Sequence, residues 1–326
     1  MELDFIKGVS IVIPAYNAEK TISMCLRAAT SLRWAGDIEI IVINDGSTDK
    51  TAEIASSFQG VRLLNVPNGG AARATNIGIE AARYDIVVSL DADAELEIDW
   101  MEKIMPSFND PAVGAVGGYA TTANKTIIGR LMGYDVEYRL DRMPEYTDHI
   151  YTMNTAYRRD ALAKVGMFDE RMRIAYDADI SRRLKAGGYL IVLVKDAKCR
   201  HFWRDDLKGY LKQQYDYAYF RLNIARKFGR AHDRLVGLGM ILQTPFTVLT
   251  LVTAIVLGSV LSPLALLLLI LLLLIHLPEA IVLIIKKKDA VTLLQPLLFT
   301  VRNLTWTWAA MVWGARHLST RVFRAT

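Results

Sequence analysis

The sequence predicts an α/β domain built on a mostly parallel sheet, followed by a helical membrane region. Three observations carry this. Residues 1–200 alternate short apolar, β-branched runs with segments of helical period, the pattern of strands joined by crossover helices. From Leu235 to Ile285 the only formally charged side chain is Glu279, and the run far exceeds the roughly 20 apolar residues that cross a bilayer. Finally, Asp91-Ala92-Asp93 directly follows the apolar run Ile86-Val87-Val88-Ser89-Leu90. Two carboxylates then emerge at the C-terminal end of a buried strand, where open α/β sheets bind ligands.

The elements follow in order. Val9 to Ile13 is a continuous apolar strand closed by Pro14, and a helical pattern through Ile22, Cys25, Leu26 and Ala29 comes after Asn17. Ile38 to Ile43 is a second buried strand, ended by Asn44-Asp45-Gly46-Ser47-Thr48-Asp49. Those polar residues supply turn and helix-cap chemistry, and a helix through Ala52, Ile54 and Ala55 comes next. Val61 to Val66 is a third strand. Asn68-Gly69-Gly70 opens an alanine-rich helix to Arg83, ahead of the strand that delivers Asp91. Ile127–Leu140 reads as an interfacial helix, with Gly129, Leu131, Met132, Gly133 and Val136 on its apolar side. Tyr189–Val194 is a late strand leading to His201-Phe202-Trp203-Arg204.

Asp205 to Arg230 reads as an amphipathic helix. Leu207, Tyr210, Leu211, Ala218, Leu222 and Ala225 recur at helical spacing, while Lys208, Lys212, Arg221, Arg226, Lys227 and Arg230 mark another face. Such a basic face suits anionic lipid. Ser262-Pro263 divides the apolar region into spans at about 236–260 and 264–285. A buried helix pair of a soluble protein is the rival, and the leucine run from Leu264 to Leu274 argues against it. Lys286-Lys287-Lys288 returns the chain to the cytoplasmic side by the positive-inside rule. Met1-Glu2-Leu3-Asp4 lacks a signal-type apolar run, so the first 200 residues are expected in the cytoplasm. Residues 290–315 are long enough to span, but Arg302 interrupts them, and Arg316, Arg321 and Arg324 follow. Interfacial helices with Trp306, Trp308 and Trp313 at headgroup depth are preferred over a third span. The domain plan is therefore 1–204, 205–234 and 235–326.

Two cysteines, Cys25 and Cys199, make neither a disulfide framework nor a zinc site and are expected to pack as small apolar residues. The net charge is +5, with the basic residues gathered beside the apolar region. Anionic headgroups are thus a simpler partner than nucleic acid. Neither a G-x-G-x-x-G after the first strand nor a G-x-x-x-x-G-K-[ST] occurs, which argues against a dinucleotide oxidoreductase and a P-loop NTPase. Acids at i and i+2 can instead present oxygens to one Mg²⁺ or Mn²⁺, which in turn holds a diphosphate. Alone, Asp-Ala-Asp reads about as well as a solvated acidic turn.

It does not stand alone. Val9-Ser10-Ile11-Val12-Ile13-Pro14-Ala15-Tyr16-Asn17-Ala18-Glu19 is followed by Ile41-Val42-Ile43-Asn44-Asp45-Gly46-Ser47-Thr48-Asp49, then Asn68-Gly69-Gly70, then Asp91-Ala92-Asp93. In order and spacing these resemble the family 2 glycosyltransferases of GT-A fold, over roughly residues 8–205. The resemblance implies a Rossmann-like catalytic domain over 1–204. It implies that Pro14, Tyr16 and Glu19 line a nucleoside pocket and that Asp45 hydrogen-bonds the base, an N-cap or turn being the alternative. By the same likeness Asp91 touches the nucleotide or the metal site, Asp93 ligates the cation and His201 completes its ligand set. Trp203 and Arg204 would cover the diphosphate. Arg73 either faces the donor phosphates or stands as a surface arginine.

Asp177-Ala178-Asp179, after Phe168-Asp169-Glu170, resembles the family's Glu-Asp-x-Asp-Leu element, with Tyr176 in place of the glutamate. That register makes Asp177 the general base, a cap of the helix Ile180–Ala186 being the alternative. Gln213-Gln214-Tyr215-Asp216-Tyr217 stands where processive relatives carry Gln-x-x-Arg-Trp against an acceptor sugar. The missing Arg-Trp pair argues against processive polymer synthesis and leaves Gln213 and Gln214 as acceptor-side candidates.

The expectation is a membrane-embedded, metal-dependent inverting glycosyltransferase whose active site faces the cytoplasm, similar to cellulose-synthase-like mannosyltransferases or dolichyl-phosphate mannose synthases. The expected donor is a nucleotide sugar, GDP-mannose. The acceptor is a polyprenol- or dolichol-linked sugar or oligosaccharide, in glycan biosynthesis such as that of an N-glycan precursor. One rival transfers the sugar to polyprenyl phosphate, which is already ionised and needs little base catalysis. The other is a non-catalytic membrane tether that senses nucleotide sugars; it would lack the metal acids or the base.

Overall fold

The computed structural model describes residues 6–228, 238–256 and 263–322. Met1 to Asp4, Arg230, Ser262 and Arg324, all used above, lie outside the described residues, as do both ends of the expected 236–260 span. The side chains of Lys227 and Arg321 also fall outside them. The chain divides into two units. One comprises Met1–Ala123 with Val136–Phe202, the other Asn124–Asp135 with Trp203–Thr326.

The first unit opens with β1 (Gly8–Ala15), α1 (Ile22–Thr30), β2 (Asp37–Asp45), α2 (Thr51–Ser56), β3 (Val61–Val66), α3 (Ala71–Ala81) and β4 (Ile86–Leu90). These are the strands and helices expected from the apolar runs. β5 (Ala94–Leu96), α4 (Trp100–Ile104), a 3₁₀ turn at Met105–Asn109 and β6 (Val113–Thr122) come next. After α5 (Ile127–Arg142) the unit finishes with β7 (Asn154–Arg158), α6 (Arg159–Val165), α7 (Tyr176–Ala186) and β8 (Leu190–His201).

Among the described residues, eight strands form one sheet, in the order β3-β2-β1-β4-β7-β6-β8-β5. β1 runs parallel to β2 and β4, β2 to β3, and β6 to β8. β7 is antiparallel to both β4 and β6, and β5 to β8. The sheet is thus mostly parallel with an inserted antiparallel strand, a Rossmann-like GT-A architecture. Every residue of β4 is buried, as its unbroken apolar run requires for a central strand covered on both faces.

Val12, Ile41, Ile43, Val87, Tyr157 and Leu162 belong to one core cluster with Ile180 and Leu184 of α7. A β-carbon at Gly78 would come within 2.3 Å of Val12 and 2.6 Å of Ile43, so the glycine lets α3 lie directly on the sheet. The expected packing of the cysteines holds: Cys25 and Cys199 are both buried free thiols. Burial, helped by nearby carboxylates, raises both above the usual thiol range, which keeps them protonated and inert.

The second unit contains the start of α5, α8 (Leu207–Phe228), α9 (Leu238–Val256), α10 (Pro263–Lys287), a 3₁₀ turn at Ala290–Leu294 and α11 (Gln295–Val322). Leu131 and Met132 of α5 are buried with Tyr210 and Leu298. Side chains from α5 and the 3₁₀ turn meet where Asp289 accepts from Arg130 (2.8 Å) and the Tyr134 hydroxyl (2.9 Å).

α8 packs on α11. The indole of Trp306 donates to Gln214 at 3.1 Å and that of Trp313 to Asn223 at 2.7 Å, while Trp308 is exposed. Among the described residues one helix is long and apolar enough to cross a membrane, Leu266–Lys287, with mean hydropathy 2.8. Leu266, Leu267, Ile270, Leu271, Leu274 and Ile275 are all exposed on it.

Candidate active site

β4 delivers the first carboxylate. Asp91 follows Leu90, its N–H donates to Met153 and its carbonyl accepts from Ala94 N–H at 3.0 Å. That turn reverses the chain into β5, a strand of 3 residues that pairs Ala94 with His201 of β8. Phe202 N–H then closes on the Asp93 carbonyl at 3.0 Å. Strand pairing therefore brings the Asp-Ala-Asp turn and the distant histidine to one place.

His201 Nε2 lies 3.1 Å from Asp93 Oδ1 and 3.6 Å from Asp91 Oδ2. One ligand atom from each of the three lies within 4.8 Å of the others. Two carboxylate oxygens and an imidazole suit Mg²⁺ or Mn²⁺, with positions left for phosphate oxygens and water. The residues present fit such a cation.

The electrostatics point the same way. Burial pulls the His201 pKa down, but Asp93 and Asp91 more than reverse this and raise it to about 10. Burial raises the Asp91 carboxyl; contact with His201 opposes the rise, and the charges of Asp93 and Asp177 add to it. Negative charge thus exceeds its local compensation, and a cation relieves it.

Asp177 stands in the first turn of α7, entered through Ala175 at a left-handed φ of 63°. Its Oδ1 accepts from Ala178 N–H at 2.8 Å and its Oδ2 faces His149 Nε2 at 3.6 Å. The side chain stays partly open to solvent, at 17 %. After burial, the Asp177 and Asp91 charges raise the Tyr157 phenol, so that buried hydroxyl senses both acids. Asp179 differs: it is fully buried and paired with Arg183 at 2.5 Å, which also donates to the Val165 carbonyl. Tyr176, the departure from the family's glutamate, packs edge-on against Phe168.

The other expected residues are placed as follows. The Asp45 carboxylate accepts from Gly69 N–H (2.8 Å), Gly70 N–H (2.9 Å) and the Asn68 amide (3.2 Å). It anchors the loop that starts α3, where Gly70 adopts φ 93°, a left-handed value that favours glycine. Arg73 turns back to the Pro67 carbonyl at 3.0 Å. Pro14 lies within β1 opposite Ile43, one residue before the strand ends at Ala15, so the proline does not close the strand as its position suggests, and Tyr16 is exposed. Glu19 accepts from Lys50 N–H and donates its own N–H to Asp49.

Glu19 thus belongs to a lacing between the loops after β1 and β2. The same lacing includes Asn17 with Ser47 and Thr48, and Ala18 with Thr51. Trp203, Arg204, Gln213 and Gln214 belong to the second unit. There Trp203 packs against the cluster of Leu131, Met132 and Tyr210, and exchanges two hydrogen bonds with Asn124. Gln214 is buried on Trp306.

Sequence reasoning missed His149, Tyr157 and the Ser47–Thr51 side of the lacing. His149 lies in an aperiodic segment before β7, where neither spacing nor composition marks it. The polar run after β2 was visible as turn chemistry, but its partners were not.

A Rossmann-like sheet with an Asp-Asp-His cluster at its strand ends, and a further partly open carboxylate nearby, defines the GT-A class of glycosyltransferase domain. Residues 10–166 match the Glycosyl transferase family 2, and the chain carries a domain of that family.

The chain is similar to poly-beta-1,6-N-acetyl-D-glucosamine synthases. It is 32 % identical to that of Staphylococcus aureus strain COL over 234 residues, 67 % of this chain and 55 % of that protein. To that of Staphylococcus epidermidis strain ATCC 35984 it is 31 % identical over 227 residues, 65 % and 54 % of the two. The chain therefore spans about half the length of these curated relatives. Among solved structures, the mannosyltransferase PcManGT from Pyrobaculum calidifontis, in complex with GDP-Man and Mn²⁺, shares the fold. Its TM-score is 0.61 at 21 % identity, over 91 % of this chain and 86 % of that one.

Proposed function

We propose that this chain is a membrane-bound, metal-dependent inverting glycosyltransferase, transferring a hexose from a nucleotide sugar to a hydroxyl of a polyprenol-linked sugar or oligosaccharide. The observation that carries the reading is the Asp91–Asp93–His201 cluster with Asp177 close enough for its charge to act on Asp91. A bound Mg²⁺ or Mn²⁺ would neutralise charge on the leaving diphosphate. Asp91, Asp93 and His201 would hold that ion. Asp177 takes the proton of the acceptor hydroxyl as its oxygen attacks the anomeric carbon. The bond from that carbon to the diphosphate oxygen breaks, and the configuration inverts.

Pro14, Tyr16, Glu19 and Asp45 are assigned to the nucleoside, and Arg73, Trp203 and Arg204 to the phosphates. Gln213 and Gln214 are assigned to the acceptor side, although Gln214 already has a partner in Trp306. The exposed leucines of α10 support membrane insertion, since a soluble chain would cover them. With Lys286, Lys287 and Lys288 at its end, the catalytic unit is assigned to the cytoplasmic face. Nucleic acid has no part in this reading.

GDP-mannose is the proposed donor, with a glycosylated dolichol-type lipid as acceptor. A second donor reading, an N-acetylglucosaminyl nucleotide, is favoured by the names of the curated relatives. Detergent-solubilised full chain with Mn²⁺, GDP-mannose or UDP-N-acetylglucosamine, and polyprenyl lipids with and without attached sugar, separates these. GDP release that needs the glycosylated lipid supports the first reading, and UDP release moves the donor to the second. Release on bare polyprenyl phosphate that survives Asp177→Asn contradicts the hydroxyl acceptor.

A further inference from the structure

His149 belongs to none of the sequence motifs, yet its Nε2 faces the Asp177 carboxylate from within the protein. The histidine is buried, and the separation from Oδ2 is 3.6 Å. The other carboxylate oxygen, Oδ1, is already committed to Ala178 N–H. One oxygen is therefore addressed by the first turn of α7 and the other by an imidazole. We propose that His149 is a positioning residue for the Asp177 base, an inference that rests on the catalytic reading of Asp177 above.

The backbone is built to hold this pair. Asp177, Ser181 and Lys185 lie at i, i+4 and i+8, one face of α7. Three consecutive residues of the segment before β7 meet that face. Asp148 pairs with Lys185, His149 faces Asp177, and Ile150 N–H donates to Ser181 Oγ at 3.3 Å. Ser181 in turn donates to the Asp177 carbonyl at 2.7 Å. The chain from Ile150 through Ser181 to Asp177 sets the spacing between imidazole and carboxylate without involving either side chain.

The segment is pinned on its other side as well. Thr147 N–H donates to Ile191 of β8 at 3.0 Å, and Leu193 N–H returns to Glu145 at 2.7 Å. The Thr147 hydroxyl bridges to the His149 carbonyl. Tyr151 meets the imidazole edge-on at 5.1 Å. The ring is thus confined by packing and its backbone by hydrogen bonds.

A carboxylate that is to accept a proton must present one lone pair to the acceptor hydroxyl while its charge remains available. An isolated aspartate at a helix start rotates between alternatives. A neutral imidazole donating Nε2–H to Oδ2 removes that freedom and leaves the acid ionised; the role requires the Nε2–H tautomer, which a carboxylate neighbour favours. At 3.6 Å the contact is longer than a hydrogen bond. Catalytic contacts of this kind tighten when substrate fills the site. His149 takes no proton from the acceptor and touches no reacting atom.

Two measurements on the full chain in detergent test this. With GDP-mannose, Mn²⁺ and a mannosylated polyprenyl lipid, His149→Ala is expected to lower kcat by roughly tenfold or more. The KM for the donor is expected to stay within about twofold, since the proposed role bears on the base that takes the acceptor proton and not on donor binding. His149→Gln, which restores an N–H, should recover part of kcat. Wild-type kcat in both variants, with Asp177→Asn inactive, overturns the positioning role and leaves the base in place. An active Asp177→Asn overturns the base itself.

The second measurement needs no turnover. Nitrogen-15 spectra of the chain's 5 histidines, assigned with His149→Gln, should show His149 as the Nε2–H tautomer, with a resonance that moves in Asp177→Asn. An Nδ1–H tautomer, or no response to Asp177→Asn, contradicts the proposal even where His149→Ala does not fold.

Discussion

Asp93 Oδ1 lies 3.1 Å from His201 Nε2 because β5, a strand of only 3 residues, pairs Ala94 directly with His201. The metal-type site is therefore a product of strand register rather than of a single motif. The same turn holds Asp91, whose carboxyl is raised in part by the charge of Asp177 and whose own charge acts on Tyr157.

In metal-free protein this cluster makes stability depend on pH. His201 has a folded pKa raised to about 10 by Asp93 and Asp91 against the opposing effect of burial; unfolded histidine titrates near 6.5. The folded state thus binds the extra proton between those values. The stabilisation is fully present below about pH 6.5 and is lost as pH rises through about 10. Thermal melts in EDTA should show a Tm decline across that window that His201→Gln lacks. Added Mn²⁺ must displace the proton, so its affinity should increase with pH over the same range. A wild-type profile matching His201→Gln contradicts the coupling.

Asp177 and Asp179 should separate cleanly. Asp179 is fully buried against Arg183, and breaking a buried pair leaves an uncompensated charge. Asp179→Ala is expected to lower unfolding free energy by about 3 kcal/mol. Asp177→Asn, with its side chain partly open, should change stability by under about 1 kcal/mol while abolishing transfer. Urea unfolding of the two variants checks this, and equal destabilisation would argue against the assignment.

Asp45 carries the Asn68–Gly70 loop on both carboxylate oxygens. Asp45→Ala leaves two glycine N–H groups and one amide without that acceptor, at a cost of about 1–3 kcal/mol. If Asp45 also meets the base, donor KM should rise further than in Gly70→Ala, which strains the same loop through its φ of 93°. Comparing donor titrations of the two variants, each corrected for folded fraction, decides between anchor and anchor plus base contact.

The order of the first four strands and three helices was legible because buried strands are short, apolar and bounded by turn residues, as in Ile86–Leu90. The antiparallel insertion of β7 between β4 and β6 was not, because strand direction leaves no trace in local pattern. Asp91, Asp93 and His201 were found as candidates by strand-end placement and family likeness, and the β5–β8 ladder joins them. His149 was not found, since a histidine in an aperiodic loop carries no signal until α7 packs beside it. Family likeness implies a nucleoside role for Glu19 and Asp45, with a turn role as the alternative for Asp45; the structure gives both of them loop partners, whose identity no spacing rule reveals.

Membrane insertion has its own test. Ile275 is exposed midway along α10, and an arginine at the centre of a spanning helix costs about 2.5–3.5 kcal/mol. Ile275→Arg should shift part of the protein from the carbonate-resistant membrane fraction to the soluble or aggregated fraction. Unchanged fractionation would place α10 outside the bilayer.

The most direct measurement of the central claim is Mn²⁺-dependent nucleoside diphosphate release by wild-type protein, Asp93→Asn and Asp177→Asn. It would use GDP-mannose or UDP-N-acetylglucosamine with a glycosylated polyprenyl lipid. Release by wild type that stops with EDTA and falls to background in both variants is the predicted result. Release that persists in Asp177→Asn, or that ignores EDTA and Asp93→Asn alike, would contradict a metal-held donor and an aspartate base.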